Sequence, residues 1–592
     1  MNLDVELVTS NDRLLELFPT WMRAPKISID TETTGLDIIR DLVAGLSISS
    51  DGKKGYYVPF WHTTGPQCSY EVVRFVMEGI LRNPELIKIF HNAKYDMHLF
   101  LNTFGIRTVS PYEDTMVEGF LIDNTIEKGL KPWSKRLFDD TLSSLEDELA
   151  LHIKRNKLPS YAHISPEFIQ RYGAADAIYT FKLHEVFQQE LQKNNQVALY
   201  HTELELIDVV LRMERWGIQI DPEILRREGD QLKARLPQME QELNELVGRP
   251  LNPRSPKQVA SYLFGDLGLP ILLRTAAGNP SSSEEVLLNL PSHPSIPMIL
   301  ALRTGSKVIS TYVDGILEKL DAQNRLHCRF NQLGAGTGRF SSSKPNLQNI
   351  PREGSVPISI RSAFVPSLGY SWFLIDYKQA EMYLFAHYAN DPQMIEAVSS
   401  GFDFHRSTGA LIFNKPLDEV TKVERKFAKK INFGYIYGIG PRKLARELQI
   451  TERAARGFLR RYNERFPGIP DFVKRCKADY QSKGYVESLF GRRRFIPYDK
   501  AYRSVNTLVQ GTVADLIKQA MVNLKPILSS VPIRLIIQVH DELIFEIPDE
   551  FVGVVPEIER VMQDFKFRVP VRTDVEHTTT TWANKKPWRK GD

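Results

Sequence analysis

Trp372-Phe373-Leu374-Ile375-Asp376-Tyr377-Lys378-Gln379-Ala380-Glu381 is the stretch on which the reading of this chain turns, together with Ile533 to Val539 and the His540-Asp541-Glu542 that follows. In each, a short apolar run of strand length ends on a carboxylate. Two acids that end neighbouring strands can hold divalent cations between them. Between the two runs lies a charged helical pattern in which Arg425, Lys429, Phe433 and Tyr437 recur every fourth residue. A step of four advances about 40° past a full turn, so these side chains cover about 120° of one helix face. Two cations and two aromatics on one face suit a triphosphate and its base. Together with metal-holding acids they are the parts of nucleotidyl transfer to a 3′-hydroxyl. Alone, His540-Asp541-Glu542 reads equally well as a polar turn atop a hairpin. Alone, the helix reads as a basic amphipathic segment with its aromatics in the core. The combination, in order, points to chemistry.

A second set of carboxylates stands near the N-terminus. Asp30-Thr31-Glu32 follows the strand-like Ile27-Ser28-Ile29, and alternation puts both acids on one side of the extended chain. Asn92-Ala93-Lys94-Tyr95-Asp96 follows the run Leu86 to Phe90 and opens a helical pattern. Tyr172 and Asp176 share a helix face at i, i+4. Any one of these fragments is common by chance; Asp-x-Glu is usually a strand-end turn. Four acids converging on one pocket would repel one another unless cations sat between them.

The bulk numbers set the frame. At 592 residues the chain exceeds a single core, and two to four domains are expected. It is 42% apolar and 25% charged, as soluble globular proteins are, and its net charge of +4 does not by itself indicate nucleic acid. Cys68, Cys328 and Cys476 fit no zinc or disulfide spacing, which favours a reducing compartment. The N-terminus shows no signal-peptide pattern and no apolar run reaches a membrane span, so a cytoplasmic protein with no membrane partner is expected. The first part alternates short strands with helical patterns, an α/β layer, and the polar Gln192 to Gln196 is a candidate boundary. Glu203 to Leu246 reads as long charged helix broken at Trp216-Gly217, Leu251 to Leu290 as loop-rich, and Pro392 to Tyr480 as helical. The tail from Thr578 reads as solvated or frayed.

Asp376 to Glu381, the helix ending in Asn432-Phe433-Gly434 and Tyr437-Gly438, and Gln538 to Glu542 resemble, in order, the three polymerase motifs of family A DNA polymerases, the family of bacterial DNA polymerase I. The N-terminal acids resemble the three motifs of the ribonuclease H-fold, DnaQ-like 3′–5′ exonucleases used in proofreading. The resemblance runs from about Ile27 to Trp582 and matches the large fragment of the bacterial enzyme in domain order. It implies an α/β multidomain protein, with a ribonuclease H-like exonuclease domain over 1–190 and a right-hand polymerase domain over 191–592. Within the latter, the thumb falls at about 200–325, the palm at about 326–385 and 505–592, and the fingers at about 386–504.

By that resemblance Asp30, Glu32, Asp96 and Asp176 hold two magnesium ions in one site, and Asp376 and Asp541 two in the other, with manganese as a substitute. Tyr172 orients the attacking water, Leu36 wedges beside the terminal base, and Asn92 lies in that pocket. Gln379, Glu381, His405, Arg425, Lys429, Phe433 and Tyr437 bind the deoxynucleoside triphosphate, Lys429 also acting in catalysis, and Glu381 with Tyr437 excludes a 2′-hydroxyl. Phenylalanine rather than tyrosine at 433 implies discrimination against dideoxynucleotides. Arg339, Asn346, Gln348, Asn349, Asn506, Gln510 and His540 contact primer–template DNA, Arg339 in the minor groove. Ser255 to Gln258 and Arg303 to Tyr312 grip the duplex backbone, and Gly491-Arg492-Arg493-Arg494 adds positive charge for phosphates. Lys378, Ala380 and Tyr383 depart from the family's usual serine, isoleucine and arginine; none is a metal ligand.

The strand carrying Asp30 starts so early that no 5′-nuclease domain is expected before it, and no thioredoxin-type processivity insertion is seen. A monomer is expected, from a phage replicase acting in host cytoplasm or a trimmed bacterial repair enzyme. Two rival readings are a stand-alone exonuclease whose second half only binds nucleic acid, and a non-catalytic scaffold. The full complement of carboxylates argues against both.

Overall fold

A computed structural model describes residues 3–589 apart from 352, 353, 355, 401, 402, 437 and 438; the side chains of 435, 436 and 447 are also outside the description. The first part of the chain builds a six-stranded mixed sheet from β1 (Asp4–Leu7), β2 (Lys26–Thr33), β3 (Val43–Ser49), β4 (Lys54–Pro59), β5 (Ile87–Phe90) and β6 (Tyr112–Asp114), in the order β1-β4-β3-β2-β5-β6. β2 runs antiparallel to β3 and parallel to β5, so its C-terminal end, with Asp30 and Glu32, sits mid-sheet. Every residue of β3 is buried, as expected of a strand covered on both faces. One cover is the helix Pro166–Lys193. Its approach is close: a Cβ on Gly173 would lie 2.7 Å from Ser47 Oγ, and one on Gly55 2.8 Å from the Ala174 carbonyl. Only glycine permits that contact, and it brings Asp176 against the sheet.

The long charged region forms the helices Val197–Trp216 and Pro222–Val247, broken at Gly217 with φ +61°. The first of these crosses between the two halves of the molecule. Its buried Glu214 binds Lys94, His98 Nε2 at 2.7 Å and the Phe330 amide at 2.6 Å. Its buried Glu203 accepts from Arg492, from Lys518 Nζ at 2.6 Å and from Gln332 Nε2 at 2.7 Å. A carboxylate sealed between cations is costly to bury alone, so these contacts fix the register of the two halves.

The second sheet is antiparallel, in the order Arg534–Val539, Glu542–Pro548, Tyr370–Tyr377, Thr573–Thr578, Lys586–Pro587. Trp372 to Ile375 and Leu543 to Phe545 are buried, and the largely buried helix Ser504–Asn523 belongs to the same core. The tail is not frayed as its composition suggested. Trp582 is buried edge-on to Phe364 at 5.6 Å, and Lys586–Pro587 pairs with the sheet's edge strand. A low-complexity sequence carries no sign of the edge that will accept it.

The middle of the chain is helical, from Pro392–Ser399 to Gly468–Lys483, and ends in the hairpin Tyr485–Glu487 with Arg493–Phe495. The expected phosphate-binding charge at 491–494 is overturned. Arg492 and Arg494 are buried, Arg492 between Glu203 and Asp515, while Arg493 turns to Asn194 and Glu487. The hairpin folds inward, which a run of arginines does not announce. Among the described residues no helix is long and apolar enough to cross a membrane.

Candidate active sites

The strand β2 presents Asp30 and Glu32 on one face, and the helix Pro166–Lys193 meets them with Asp176. One carboxylate oxygen from each of the three lies within 4.8 Å of the others. Asp96 stands in the first turn of the helix Ala93–Phe104, and its Oδ1 accepts from Thr31 Oγ1 at 2.7 Å. That helix starts from Asn92 in the left-handed region, φ 79°, where Asp114 accepts the amides of Asn92 and Ala93. Burial, then mutual repulsion, pushes the Asp30 and Glu32 carboxyls well up; burial also raises Asp176, and lifts Asp96 to about 8. Glu32 Oε1 and Asp176 Oδ1 are buried with no donor. An oxygen-only donor set with orphaned, buried acceptors fits a hard divalent cation.

One cation of the chain already stands there. Lys131 Nζ donates to Tyr172 OH at 2.9 Å and lies 3.7 Å from Asp176 Oδ2. Sequence reasoning missed it, because Leu130-Lys131-Pro132-Trp133 matches no acid or metal spacing; only packing of Leu130 and Trp133 into the core turns Lys131 to the pocket. Tyr172 is buried with its hydroxyl on that ammonium. Leu36 is 67% exposed on the loop after β2, its carbonyl taken by Arg329. Asn92 lines an adjoining cleft of about 350 Å³ between the two halves, with Lys94, Tyr95, Lys128 and Arg329.

In the second sheet Asp376 sits at the end of its strand, in register with Glu542 on one side and Asp574 on the other. Asp541 occupies the turn of the next hairpin, after His540 at φ 57°, and its carbonyl accepts the Tyr377 amide at 3.1 Å. The sheet thus brings together two acids 165 positions apart in sequence (541 − 376). Burial, then Asp541 and Glu542, pushes Asp376 up to about 8, and burial raises Asp541. Glu542 shares a counter-ion with Glu576: Lys585 Nζ lies 3.5 Å from Glu542 Oε1 and 2.5 Å from Glu576 Oε2. Asp376 and Asp541 are again oxygen donors held close in a part-buried place, and they fit a divalent cation.

Beside them, Gln379 adopts φ 49° between strand and helix, and Glu381 opens the helix Ala380–Ala389. Glu381 Oε1 accepts from Arg339 Nη2 at 2.6 Å and from Gln510 Nε2 at 3.4 Å. Gln348 Nε2 donates to Gln538 Oε1 at 3.0 Å, and Gln538 Nε2 to the His540 carbonyl at 2.6 Å. Asn346 caps its own turn by accepting the Gln348 amide, the Asn349 carbonyl takes Tyr312 OH, and Asn506 keeps a buried Oδ1 with no partner. Tyr383 is buried and lines a small cleft with Leu384, Leu516 and Phe567, and with Lys378 and Arg572.

The helix Lys422–Ile436 lines a cleft of about 870 Å³ with Arg425, Lys429, Phe433, Gly434 and further lysines. Asp403 binds Arg425, and Lys429 Nζ stands 5.6 Å from the Phe433 ring. His405 is buried against Phe433, with Nδ1 on Asn432 Nδ2 at 2.9 Å; burial lowers it to about 4. With Nδ1 accepting from that amide and the pKa lowered, the ring is the neutral tautomer that carries its proton on Nε2. Tyr437 lies outside the described residues. The expected duplex grip by Arg303 to Tyr312 is overturned at its ends: Arg303 donates inward to the carbonyls of Pro253 and Ser282, and the buried Tyr312 to Asn349.

Comparison with known proteins agrees with both halves. The family model described as DNA polymerase family A matches residues 222–584, and that described as 3′-5′ exonuclease matches residues 5–192. DNA polymerase I of Pseudomonas aeruginosa is 34% identical over 568 residues, covering 91% of this chain and 62% of that protein. DNA polymerase I of Chloroflexus aurantiacus is 33% identical, covering 99% of this chain and 64% of that protein. The chain therefore spans somewhat over three fifths of these relatives' length. Among solved structures, the POL domain of Pol1 from M. smegmatis, in complex with DNA primer-template and dNTP, superposes with TM-score 0.83 at 26% identity, over 98% of this chain and 99% of that one.

Proposed function

The chain belongs to DNA polymerase family A, and from that premise we propose that it extends a primer 3′-hydroxyl on a DNA template and removes misplaced 3′ nucleotides with its exonuclease domain. The single observation that carries this reading is the presence of two separate groups of buried or half-buried carboxylates, Asp30, Glu32 and Asp176 with Asp96 nearby, and Asp376 with Asp541. A protein that only bound DNA would have no use for two buried, mutually repelling acid sets. Magnesium, two ions at each site and replaceable by manganese, would supply Lewis acidity and counter-charge.

The rest falls to the chain's own groups. Arg425 and Lys429 bind the triphosphate of the incoming deoxynucleotide, and Lys429 gives a proton to the departing pyrophosphate. Phe433 stacks on the base. His405 donates Nε2–H to a phosphate oxygen as a neutral group. Glu381, held by Arg339 and Gln510, walls the sugar edge. Gln379 supports that wall; Asn346, Gln348, Asn349, Asn506, Gln510 and His540 position primer and template, and Arg339 tests the minor groove. In the exonuclease domain Tyr172, oriented by Lys131, holds the attacking water, with Leu36 and Asn92 at the strand end. We further propose a cytoplasmic monomer, with domain limits near 190 and 385–505.

Two variants test the assignment. With Asp30→Ala and Glu32→Ala, digestion of a 3′ single strand is abolished while primer extension with magnesium and deoxynucleotides persists. With Asp541→Ala the outcome reverses. Loss of extension in the folded first variant would refute two independent sites.

A further inference from the structure

The corrected arginines carry a consequence for the polymerase site. Arg494 is 2% exposed, and among the described residues its buried Nε, Nη1 and Nη2 find no hydrogen-bond partner. A sealed guanidinium with no acceptor is among the costliest groups a fold can keep. Two groups nevertheless lie against it. The Phe120 ring of the exonuclease half has its centroid 4.8 Å from Arg494 Cζ, a cation–π contact. Gly338 is also close: a Cβ there would stand 2.5 Å from Arg494 Nη2, and φ is +89°.

Gly338 belongs to a tight turn. Its amide donates to the Ala335 carbonyl at 2.9 Å, and the Ala335 amide to the Arg339 carbonyl at 3.2 Å. The turn also approaches the helix Ser504–Asn523: a Cβ on Gly511 would lie 3.3 Å from the Thr337 carbonyl. Next in sequence to Gly338 is Arg339, bonded to Glu381; next to Gly511 is Gln510, bonded to the same oxygen. The hairpin bearing Arg494 is itself anchored to the exonuclease half, where Asn124 accepts the Phe495 amide at 2.8 Å and donates to its carbonyl at 3.4 Å.

We propose that Phe120 and Arg494 form a positioning stack through which the exonuclease domain sets the Ala335–Arg339 turn, and so aims Arg339 at the primer terminus. This rests on the reading of Arg339 as the minor-groove contact. Arg494 and Phe120 touch no substrate; they act through Gly338. The exonuclease domain is then part of the polymerase's check on base pairing even when its own acids are silent.

The test uses the full chain with Asp30→Ala and Glu32→Ala, extending matched and mismatched primer termini by one nucleotide. Arg494→Met is expected to lower kcat/KM on the matched terminus about tenfold more than on the mismatched one, the size of effect seen between coupled neighbours. Combined with Arg339→Ala it should add no further loss. Phe120→Leu, outside the polymerase half, should shift the same ratio in the same direction, and decides the matter if Arg494→Met does not fold. Equal losses on both termini, or losses that multiply with those of Arg339→Ala, would overturn the proposal and leave the stack as packing. A parent protein that extends no primer would instead overturn the polymerase reading.

Discussion

Removing the ammonium of Lys131 should move metal binding and turnover of the exonuclease in opposite directions. Lys131 Nζ lies 3.7 Å from Asp176 Oδ2 and 2.9 Å from Tyr172 OH. At an effective dielectric of about 20, unit charges at that range interact by about 4 kcal/mol. A dication held by the same carboxylates would be repelled by that ammonium. One third of that energy is already about a tenfold change in Kd. Lys131→Met, which keeps the length and loses the charge, should therefore bind metal at this site about tenfold more tightly. The tyrosine hydroxyl meanwhile loses the donor that orients it. The single-turnover rate on a 3′ single strand should fall at least about tenfold at saturating metal. Calorimetric titration with manganese, in an Asp376→Ala, Asp541→Ala background that silences the other site, measures the first; quenched digestion measures the second. Lys131→Arg should recover part of the rate. Weaker metal binding in Lys131→Met, or an unchanged rate, would refute the argument that this lysine is both competitor and positioner.

Glu381→Ala removes the carboxylate that Arg339 and Gln510 hold; if it walls the sugar edge as proposed, the preference for deoxy- over ribonucleotides, measured as a ratio of kcat/KM, should fall about 100-fold or more, and an unchanged ratio assigns Glu381 a structural role only. Phe433→Tyr adds one hydroxyl at the nucleotide cleft and should raise dideoxynucleotide incorporation relative to deoxynucleotide about ten- to hundredfold, checked by termination frequency in an exonuclease-silent background. Burial would raise the Glu203 carboxyl, but Lys518 and Arg492 overcome it and hold it at about 2. Because the folded value lies below the ordinary one, the stability that this ionised carboxylate contributes is present above pH 4.5 and lost as pH falls toward 2. Glu203→Gln should lower the neutral-pH denaturation midpoint and flatten that acid limb; a parallel shift at every pH would contradict the pairing.

The sequence by itself determined the chemistry and its order. Asp30 and Glu32 are two apart on a strand, and Tyr172 and Asp176 four apart on a helix. Arg425, Lys429 and Phe433 follow the helical repeat, so local periodicity alone puts each set on one face. Asp376 and Asp541 each end an apolar run, which marks a strand's exposed end. The break at Gly217 was legible because a helix that meets a glycine after Trp216 has a place to stop. What depends on partners far away in sequence was not legible. The arginines at 492 and 494 read as surface charge, yet Glu203, Asp515 and Phe120 draw them inside. The tail read as solvated, yet Trp582 finds Phe364 and Trp372. Lys131 gave no signal, because its role comes from Tyr172 and Asp176, 41 and 45 positions away in sequence. Short-range pattern fixes which face a side chain takes. Only tertiary contact decides what that face meets, and therefore whether a cation is a ligand for phosphate, a counter-ion in the core, or a brace between two active sites.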